Sequence, residues 1–516
     1  MGLVIGCALE REFFQLEKLY KYIKTPTDVL RIASSLSGGD VSLAENTKFI
    51  SFKRPIRRFL LACLESFDFA IVEEMVKYKN RWIKLGERLH PGEFKKHCPK
   101  TFNAFGALRN GDTIITFNSK VEFDIINNNV DNVIGLLSKK PGEFARRLDH
   151  LIRKSNLDDQ IYIVNKFIDV ADKVSTPVLL QVKNHFDNRN DIVSRTIFPK
   201  GQLAKFKVID GKLPNIDQRV CNKLRRDIDS ILIKRFSSLK KLGNIYLDPK
   251  LKNYLVPFSQ RSASKAMKTI VRGSKLDLDF NEDTIRFFIW WKNLNQNQVK
   301  PENYNGTRVD IDLSAVILDK DFKHKSDLSY YNLRDFAGHH SGDITNAPEG
   351  ACEFIDVSMN KVKEYGGRYI VMCINSYTST PLCDLPECFA GWMGRQNPNS
   401  GEIFEAKTVK NKVDLTSNTT VSIPLLIDVV ERKVIWVDLA LKARPSFSNN
   451  VRNNSNNIAL LCKAMVNLKK TTLHDLFSLH IQGRGKLVDN PKNADIVFSE
   501  EKETQYQLDV ISADYL

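Results

Sequence analysis

The sequence predicts a multidomain α + β protein: an N-terminal all-α helical region with a repeat-like element, an antiparallel β-sandwich, and a short helical C-terminal segment. Apolar residues recur at three- and four-residue steps up to about residue 240, and alternate at two-residue steps from Thr284 onward. At 516 residues the chain is long enough for two to four domains. We predict a helical region over 1–195, a basic connector over 196–270, the sandwich over 271–446, and a helical segment with a tail over 447–516.

The N-terminal region reads as a series of amphipathic helices. Glu10–Ile23 has helical apolar spacing, and Thr25-Pro26-Thr27-Asp28 is typical of an N-cap with proline in the first turn. Six more amphipathic segments follow, at Pro55–Glu65, Phe67–Leu89, Phe102–Leu108, Val130–Leu137, Phe144–Ile152 and Gln160–Ala171. The tetrapeptide Pro-Gly-Glu-Phe occurs at 91–94 and again at 141–144, which fits helical pairs stacked as in a solenoid.

The connector changes from strand-and-turn character to a basic amphipathic helix, Val220–Leu239. After it, Tyr254 and Phe258 interleave with basic residues at 252, 261, 265 and 268. This pattern is compatible with phosphate binding and also with a docked connector that has a solvated basic face.

The sandwich is predicted from short strands separated by Gly, Asn and Pro. They are Thr284–Trp291, Val309–Leu318, Leu328–Tyr331, Glu353–Val357, Arg368–Tyr377, Ile403–Val409, Thr420–Val430 and Lys433–Leu439. No long helical pattern alternates with them, which disfavours a parallel α/β sheet. Helical patterns return at Asn457–Leu468 and Leu473–Ile481, and we expect a loose tail over Lys502–Leu516.

The net charge of +16 is unevenly distributed. Residues 301–446 hold 16 Lys and Arg against 20 Asp and Glu, so the rest of the chain has a balance of +20. A basic body of this kind favours nucleic acid or acidic partners, although a solvated lysine-rich surface gives the same composition.

Nine scattered cysteines without a C-x-x-C pair disfavour a disulfide framework or a structural zinc site. No apolar run could span a bilayer, and we expect a cytoplasmic protein.

One stretch, Thr307–Asp356, concentrates oxygen donors. Asp310 and Asp312 alternate with Val309, Ile311 and Leu313, so the two carboxylates share one strand face. They repel each other unless a cation neutralises them or water solvates them. Further oxygen donors follow at loop-like positions. Calcium takes six to eight oxygen ligands from such loops. The same residues could instead be exposed turn formers.

The order of motifs here resembles the tellurium-resistance TerD family. The matching elements, in order, are Arg272–Leu276, the strand Thr284–Trp291, Asp310-x-Asp312-x-Ser314-Ala315, Asp327 with Tyr331 and Asn332, His340-Ser341-Gly342-Asp343, and Gly401-Glu402. Leu85–Glu93, Arg146–Leu151 and Val256–Ala266 are similar to elements of a long bacterial branch that carries a helical region before the TerD-like domain.

The resemblance implies a calcium-binding module linked to stress response. We expect a non-enzymatic protein in which this module is joined to a helical scaffold, and the solenoid-like surface of the scaffold is expected to bind protein partners. The implied metal ligands are Asp310, Asp312, Asp327, Asn332, Asp343 and Glu353. The chain departs from the family where Ala351 and Cys352 replace paired acids before Glu353, which weakens at least one ion site.

Two alternatives belong to other functional classes. His339, His340, Ser341 and Asp343 suggest a hydrolase, but the chain has no G-x-S-x-G nucleophile elbow. The basic helical region could bind nucleic acid or an acidic partner beside a metal-free sandwich, although no nucleic-acid motif accompanies it.

Overall fold

The computed structural model describes residues 22–68, 70–197, 207–258, 264–266, 270–278, 281–299, 305–401, 409–441, 450–502 and 504–516. The chain forms two compact units, Met1–Lys139 and Lys140–Leu516. Among the described residues, no helix is both long and apolar enough to cross a bilayer. Most of the predicted Glu10–Ile23 helix, part of the Val256–Ala266 element, most of the predicted Ile403–Val409 strand and Glu402 of the Gly-Glu motif lie outside the described residues.

The first unit is helical, as the apolar spacing predicts. Thr25 caps its first described helix. The Thr25 hydroxyl accepts a hydrogen bond from the Asp28 N–H, the Asp28 carboxylate accepts one from the Thr25 N–H, and Pro26 lies in the first turn. Trp82 is fully buried, and its ring packs against that of Phe105 in a T-shaped arrangement with 5.9 Å between the ring centroids. The helices are α1 Pro26–Leu36, α2 Arg54–Glu65, α3 Ile71–Met75, α4 Lys79–Leu89, α5 Pro99–Asn110, α6 Phe117–Ile126 and α7 Val130–Ser138.

The predicted single helix Phe67–Leu89 is broken. A 3₁₀ turn at Val76–Tyr78 separates α3 from α4, because the backbone of Tyr78 leaves the helical region (φ −127°, ψ 38°). The Pro-Gly-Glu-Phe repeat also differs between its copies. Pro91–Phe94 is an isolated 3₁₀ turn, whereas Pro141 opens a long helix. The two copies share a proline at the start of the turn or helix and a buried phenylalanine.

The second unit begins with four helices: α8 Pro141–Lys154, α9 Leu157–Ala171, α10 Thr176–Asn188 and α11 Gln218–Ser237. Asp149 of α8 joins α8 to α10, since its carboxylate lies 2.6–2.7 Å from Arg153, His185 and Arg189. Burial raises the pKa of Asp149 but its cationic partners, His185 first, prevail and hold it at about 2. A short antiparallel pair, β1 Ser194–Ile197 and β2 Lys207–Asp210, connects α10 to α11.

The sandwich consists of two antiparallel sheets, as predicted. Its elements are β4 Ser264–Ala266, β5 Lys275–Asp277, β6 Thr284–Trp291, β7 Ile311–Leu318, β8 His324–Leu328, β9 Arg334–Asp335, β10 Gly338–His340, β11 Ala351–Ser358, α12 Met359–Glu364, β12 Tyr369–Ser376, β13 Cys388–Arg395, β14 Val409–Leu415, β15 Val421–Asp428 and β16 Lys433–Leu441. One sheet has the order β4-β14-β13-β6-β11-β10-β9 and the other β5-β16-β15-β12-β7-β8.

Helix α13, Ser455–Val466, covers the six-stranded sheet. Its Ile458, Leu461, Cys462 and Met465 share one apolar cluster with Val316 and Leu318 of β7 and neighbouring strands. This cover explains why β7 is buried along its whole length and not on one face only.

The C-terminal segment forms a small parallel sheet that the sequence does not predict. β3 (Gly243–Leu247) lies between β17 (Gly485–Leu487) and β18 (Ile496–Phe498) and runs parallel to both. α14, Leu473–Arg484, packs on α11 and leads into β17. The connector and the C-terminal segment therefore share this sheet.

The expectation of a loose tail is wrong. Helix α15 spans Leu508–Asp514 and buries Leu508 and Ile511. The Tyr515 ring packs edge-on against Phe477 and Phe498 at 5.2 and 5.5 Å. Three apolar side chains thus anchor the last ten residues to α14 and the parallel sheet.

Candidate metal site

Three aspartates converge at the start of β7. Asp310 precedes the strand, Asp312 lies within it, and Asp343 belongs to the β10–β11 loop. Each offers a carboxylate oxygen within 4.8 Å of the other two, and among the described residues this is the one group of acidic, His or Cys side chains that meets that geometry. Asp310 and Asp312 are buried and Asp343 is exposed, so the cluster opens to solvent on the loop side.

The cluster carries an excess of negative charge. Burial, and then the nearby Asp343, raise the pKa of Asp310, while Arg308 opposes the rise. The Arg308 Nη2 atom lies 3.1 Å from Asp310 Oδ2, and its Nε–H donates to the Thr345 carbonyl oxygen. The half-exposed Arg308 guanidinium thus pairs with Asp310, and a divalent cation at the meeting point of the three carboxylates would reduce their mutual repulsion.

The buried carboxyl of Glu353 does not belong to the group of three converging aspartates. Its Oε2 accepts from the Leu313 N–H at 3.0 Å and its Oε1 from the Ile344 N–H at 2.9 Å. Leu313 follows Asp312 and Ile344 follows Asp343, so this buried carboxyl fixes the two segments that carry the aspartates. Burial raises the pKa of Glu353 to about 8, and Asp312 and Asp343 add to the rise.

His340 completes this support. Its Nδ1 accepts from the Gly342 N–H at 3.0 Å, so the protonated Nε2 donates to the Leu313 carbonyl oxygen at 3.1 Å. Burial lowers the pKa of His340. The hydroxyl of Ser341 accepts from the Phe354 N–H. The His-Ser-Gly-Asp motif therefore forms a backbone-bonded loop in which both imidazole nitrogens are engaged by the main chain.

Asp327 and Asn332 lie outside the cluster. Asp327 pairs with Val316, four residues beyond Asp312 on β7, which is about 13 Å at the rise of a strand. Its buried carboxylate binds His324 at 2.8 Å and Arg452 at 3.1 Å. Asn332 donates to the Asp327 carbonyl oxygen at 2.6 Å. These two predicted ligands thus stabilise the β8 region, and the aspartate cluster does not include them.

Two further residues of the site, Arg308 and Glu353 in its supporting role, were not predicted from the sequence. A signal for Arg308 was available, since it stands two residues before Asp310 and a strand period places both on one face. None was available for Glu353, because its partners are backbone N–H groups brought together by the fold.

The cysteines do not form a second site among the described residues. Cys383 is exposed and Cys388 is buried, although they are close in sequence. Burial raises the pKa of Cys388 to about 12. The Cys388 thiol is therefore a poor metal ligand at neutral pH.

No family model matches the sequence, and no curated protein does. Two solved structures are similar over about a third of the chain. A protein of unknown function is 10% identical, covers 34% of this chain and 98% of its own, and has a TM-score of 0.26. A homologue of the telluride resistance protein TerD from Streptomyces coelicolor A3(2) is 7% identical, covers 32% of this chain and 94% of its own, and has a TM-score of 0.25. At these TM-scores neither likeness supports a conclusion about this chain, and the TerD resemblance stays a prediction from the sequence.

Proposed function

We propose that the sandwich is a TerD-like calcium-binding domain in a non-enzymatic stress-response protein, and that Asp310, Asp312 and Asp343 are its carboxylate ligands. The observation that carries the proposal is the convergence of these three carboxylates within 4.8 Å. Three carboxylates supply up to six oxygens, which is the lower limit of the calcium coordination number.

The ligand set is narrower than the one the resemblance implies. Glu353 lies outside the group of converging carboxylates and its two oxygens accept backbone hydrogen bonds, so its proposed role is to hold Asp343 in place. Asp327 is paired with Arg452 and bonded to His324. Protein partners of the helical region stay a prediction from its solenoid-like pattern, and the alternative of nucleic-acid binding stays a prediction from its basic composition.

Calorimetric titration of the full chain with calcium tests the ligand set. We expect Asp310→Asn with Asp312→Asn to weaken calcium binding on the order of 100-fold, because the charge count of the site falls by two. Asp327→Asn is the matched control: it removes an equally buried carboxylate and should leave calcium affinity unchanged. Absence of heat with the wild type, or an equal loss in Asp327→Asn, would overturn the proposal.

A further inference from the structure

A polar cleft lies in the second unit, among α10, α11 and the segment that leads into α14. Its volume is about 340 Å³, which is at the lower end of the range of small-molecule sites. Leu180 and Leu479 contribute apolar surface, while the remaining lining residues are polar or charged. The aspartate cluster of the sandwich contributes none of these residues.

The cleft has more cations than acids. Lys183, Arg225, Lys469 and Lys470 line it, against Asp187 and Asp475. Lys183 is neutralised by Asp229 at 2.6 Å. Within the described chain, the ammonium of Lys469 has no carboxylate in ion-pair range, which leaves a cation available to an anionic group.

Positive potential extends beyond the lining residues. Burial, followed by Lys469 and Lys433, lowers the pKa of Lys275. Burial and the neighbouring Arg272 lower the pKa of Lys470 to about 8. Neighbouring cations thus add to the effect of burial in lowering both pKa values, and an anion beside Lys469 or Lys470 would relieve this repulsion.

Asp187, unlike the cations of the cleft, lacks a hydrogen-bond donor within the part of the chain that the structure describes. Its side chain is 32% exposed, and its ion pair with Arg225 spans 3.6 Å. Among the described residues it accepts no hydrogen bond, and burial raises its pKa. A carboxylate in this state gains from hydroxyl donors, as in a polyol. Asn184 and Asn188 of α10 line the same wall and add amide groups.

We infer that this cleft binds a small phosphorylated polyol, such as a sugar phosphate, with the phosphate towards Lys469 and the hydroxyls towards Asp187. Phosphate alone pairs with the cations but supplies no polyol hydroxyls to Asp187. An uncharged polyol supplies hydroxyls to Asp187 but no negative charge to the cations. The inferred ligand therefore requires both groups on one molecule.

The test is calorimetric titration of the full chain with ribose 5-phosphate, inorganic phosphate and ribose at low salt. The buffer contains EDTA, so the result does not depend on calcium binding. We expect ribose 5-phosphate to bind at least about tenfold more tightly than either fragment, since it makes the charge-assisted phosphate contact and the hydroxyl contacts on one molecule.

Two variants assign the contacts. Lys469→Ala should weaken ribose 5-phosphate and phosphate about tenfold, whereas Lys492→Ala, at an exposed position outside the cleft, should change neither. Asp187→Asn should weaken ribose 5-phosphate and leave phosphate binding equal or stronger. Circular dichroism melting curves confirm that each variant folds. No binding of ribose 5-phosphate, an equal affinity for phosphate, or a Lys469→Ala variant indistinguishable from wild type would overturn the inference.

Discussion

Glu353 links the two segments that carry the proposed calcium ligands. A single buried carboxyl accepts one hydrogen bond from the residue after Asp312 and one from the residue after Asp343. The distance between β7 and the β10–β11 loop is thereby set without a metal ion. Such preorganisation reduces the cost of gathering three like charges around a cation.

The aspartates of this site could be predicted from the sequence to different degrees. Asp310 and Asp312 follow from strand alternation alone, because a two-residue period puts them on one face. Asp343 was predicted only as one of several loop oxygen donors, because its approach to the pair depends on the sandwich topology. Asp327 was predicted together with them, but it lies opposite Val316 on β7 and pairs with Arg452, a residue 125 positions away that the sequence gives no reason to bring there.

His480 gives a pH-dependent prediction at the residue scale. It stacks on Phe236 at 3.7 Å, its ring nitrogens bond Arg484 and the Tyr515 carbonyl oxygen, and burial lowers its pKa to about 4. The unfolded chain has a His pKa of about 6.5, so the unfolded state takes up the proton first as the pH falls. This contribution is present above pH 6.5 and is lost as the pH falls towards 4.

The corresponding experiment is urea unfolding at pH 7 and pH 5. We expect His480→Gln to reduce the loss of stability between these two pH values by roughly 1–2 kcal/mol relative to wild type. An identical pH dependence in the two proteins would show that His480 does not titrate as described.

At the scale of elements, periodicity predicted the long strands and helices well. β6 occupies the predicted Thr284–Trp291, and β16 and α11 lie within two residues of their predicted bounds. β13, Cys388–Arg395, was missed because Gly391 and Gly394 lower its strand propensity. The parallel sheet was missed because its three strands have three to five residues each and pair across more than 230 residues of sequence.

The docked tail gives a prediction at this scale. Ile511→Ala should destabilise the second unit by about 2–4 kcal/mol, because it leaves a cavity under α15. Val510 is the matched control: it is the preceding residue on the same helix and is 45% exposed, so Val510→Ala should cost less than about 0.5 kcal/mol. Chemical unfolding measures the effect of both substitutions on stability. Equal effects would show that the tail does not pack on the second unit as described.

At the scale of the whole molecule, the two compact units differ in what they carry. The first unit holds a helical core around Trp82, while the second holds the aspartate cluster and the polar cleft. The other four tryptophans lie in the sandwich, at 290, 291, 392 and 436. Replacement of Trp82 therefore leaves tryptophan fluorescence as a report on the sandwich alone.

This distribution allows calcium binding to be localised. In a Trp82→Phe variant, calcium at 100 times its Kd should stabilise the sandwich by about 2.7 kcal/mol and raise its fluorescence-detected Tm by roughly 5–10 °C. The same variant with Asp310→Asn and Asp312→Asn, whose calcium affinity is about 100-fold lower, should gain only about 0.4 kcal/mol at that calcium concentration and shift by about 1–2 °C. A full calcium-induced shift that survives the two Asn substitutions would place the ion elsewhere.

The most direct test of the central claim is a crystal structure of the chain grown with calcium. The account predicts one ion bound by carboxylate oxygens of Asp310, Asp312 and Asp343 at about 2.3–2.6 Å, with Glu353 still bonded to the N–H groups of Leu313 and Ile344. An ion held by Asp327 and Asn332, or no ion at saturating calcium, would contradict it.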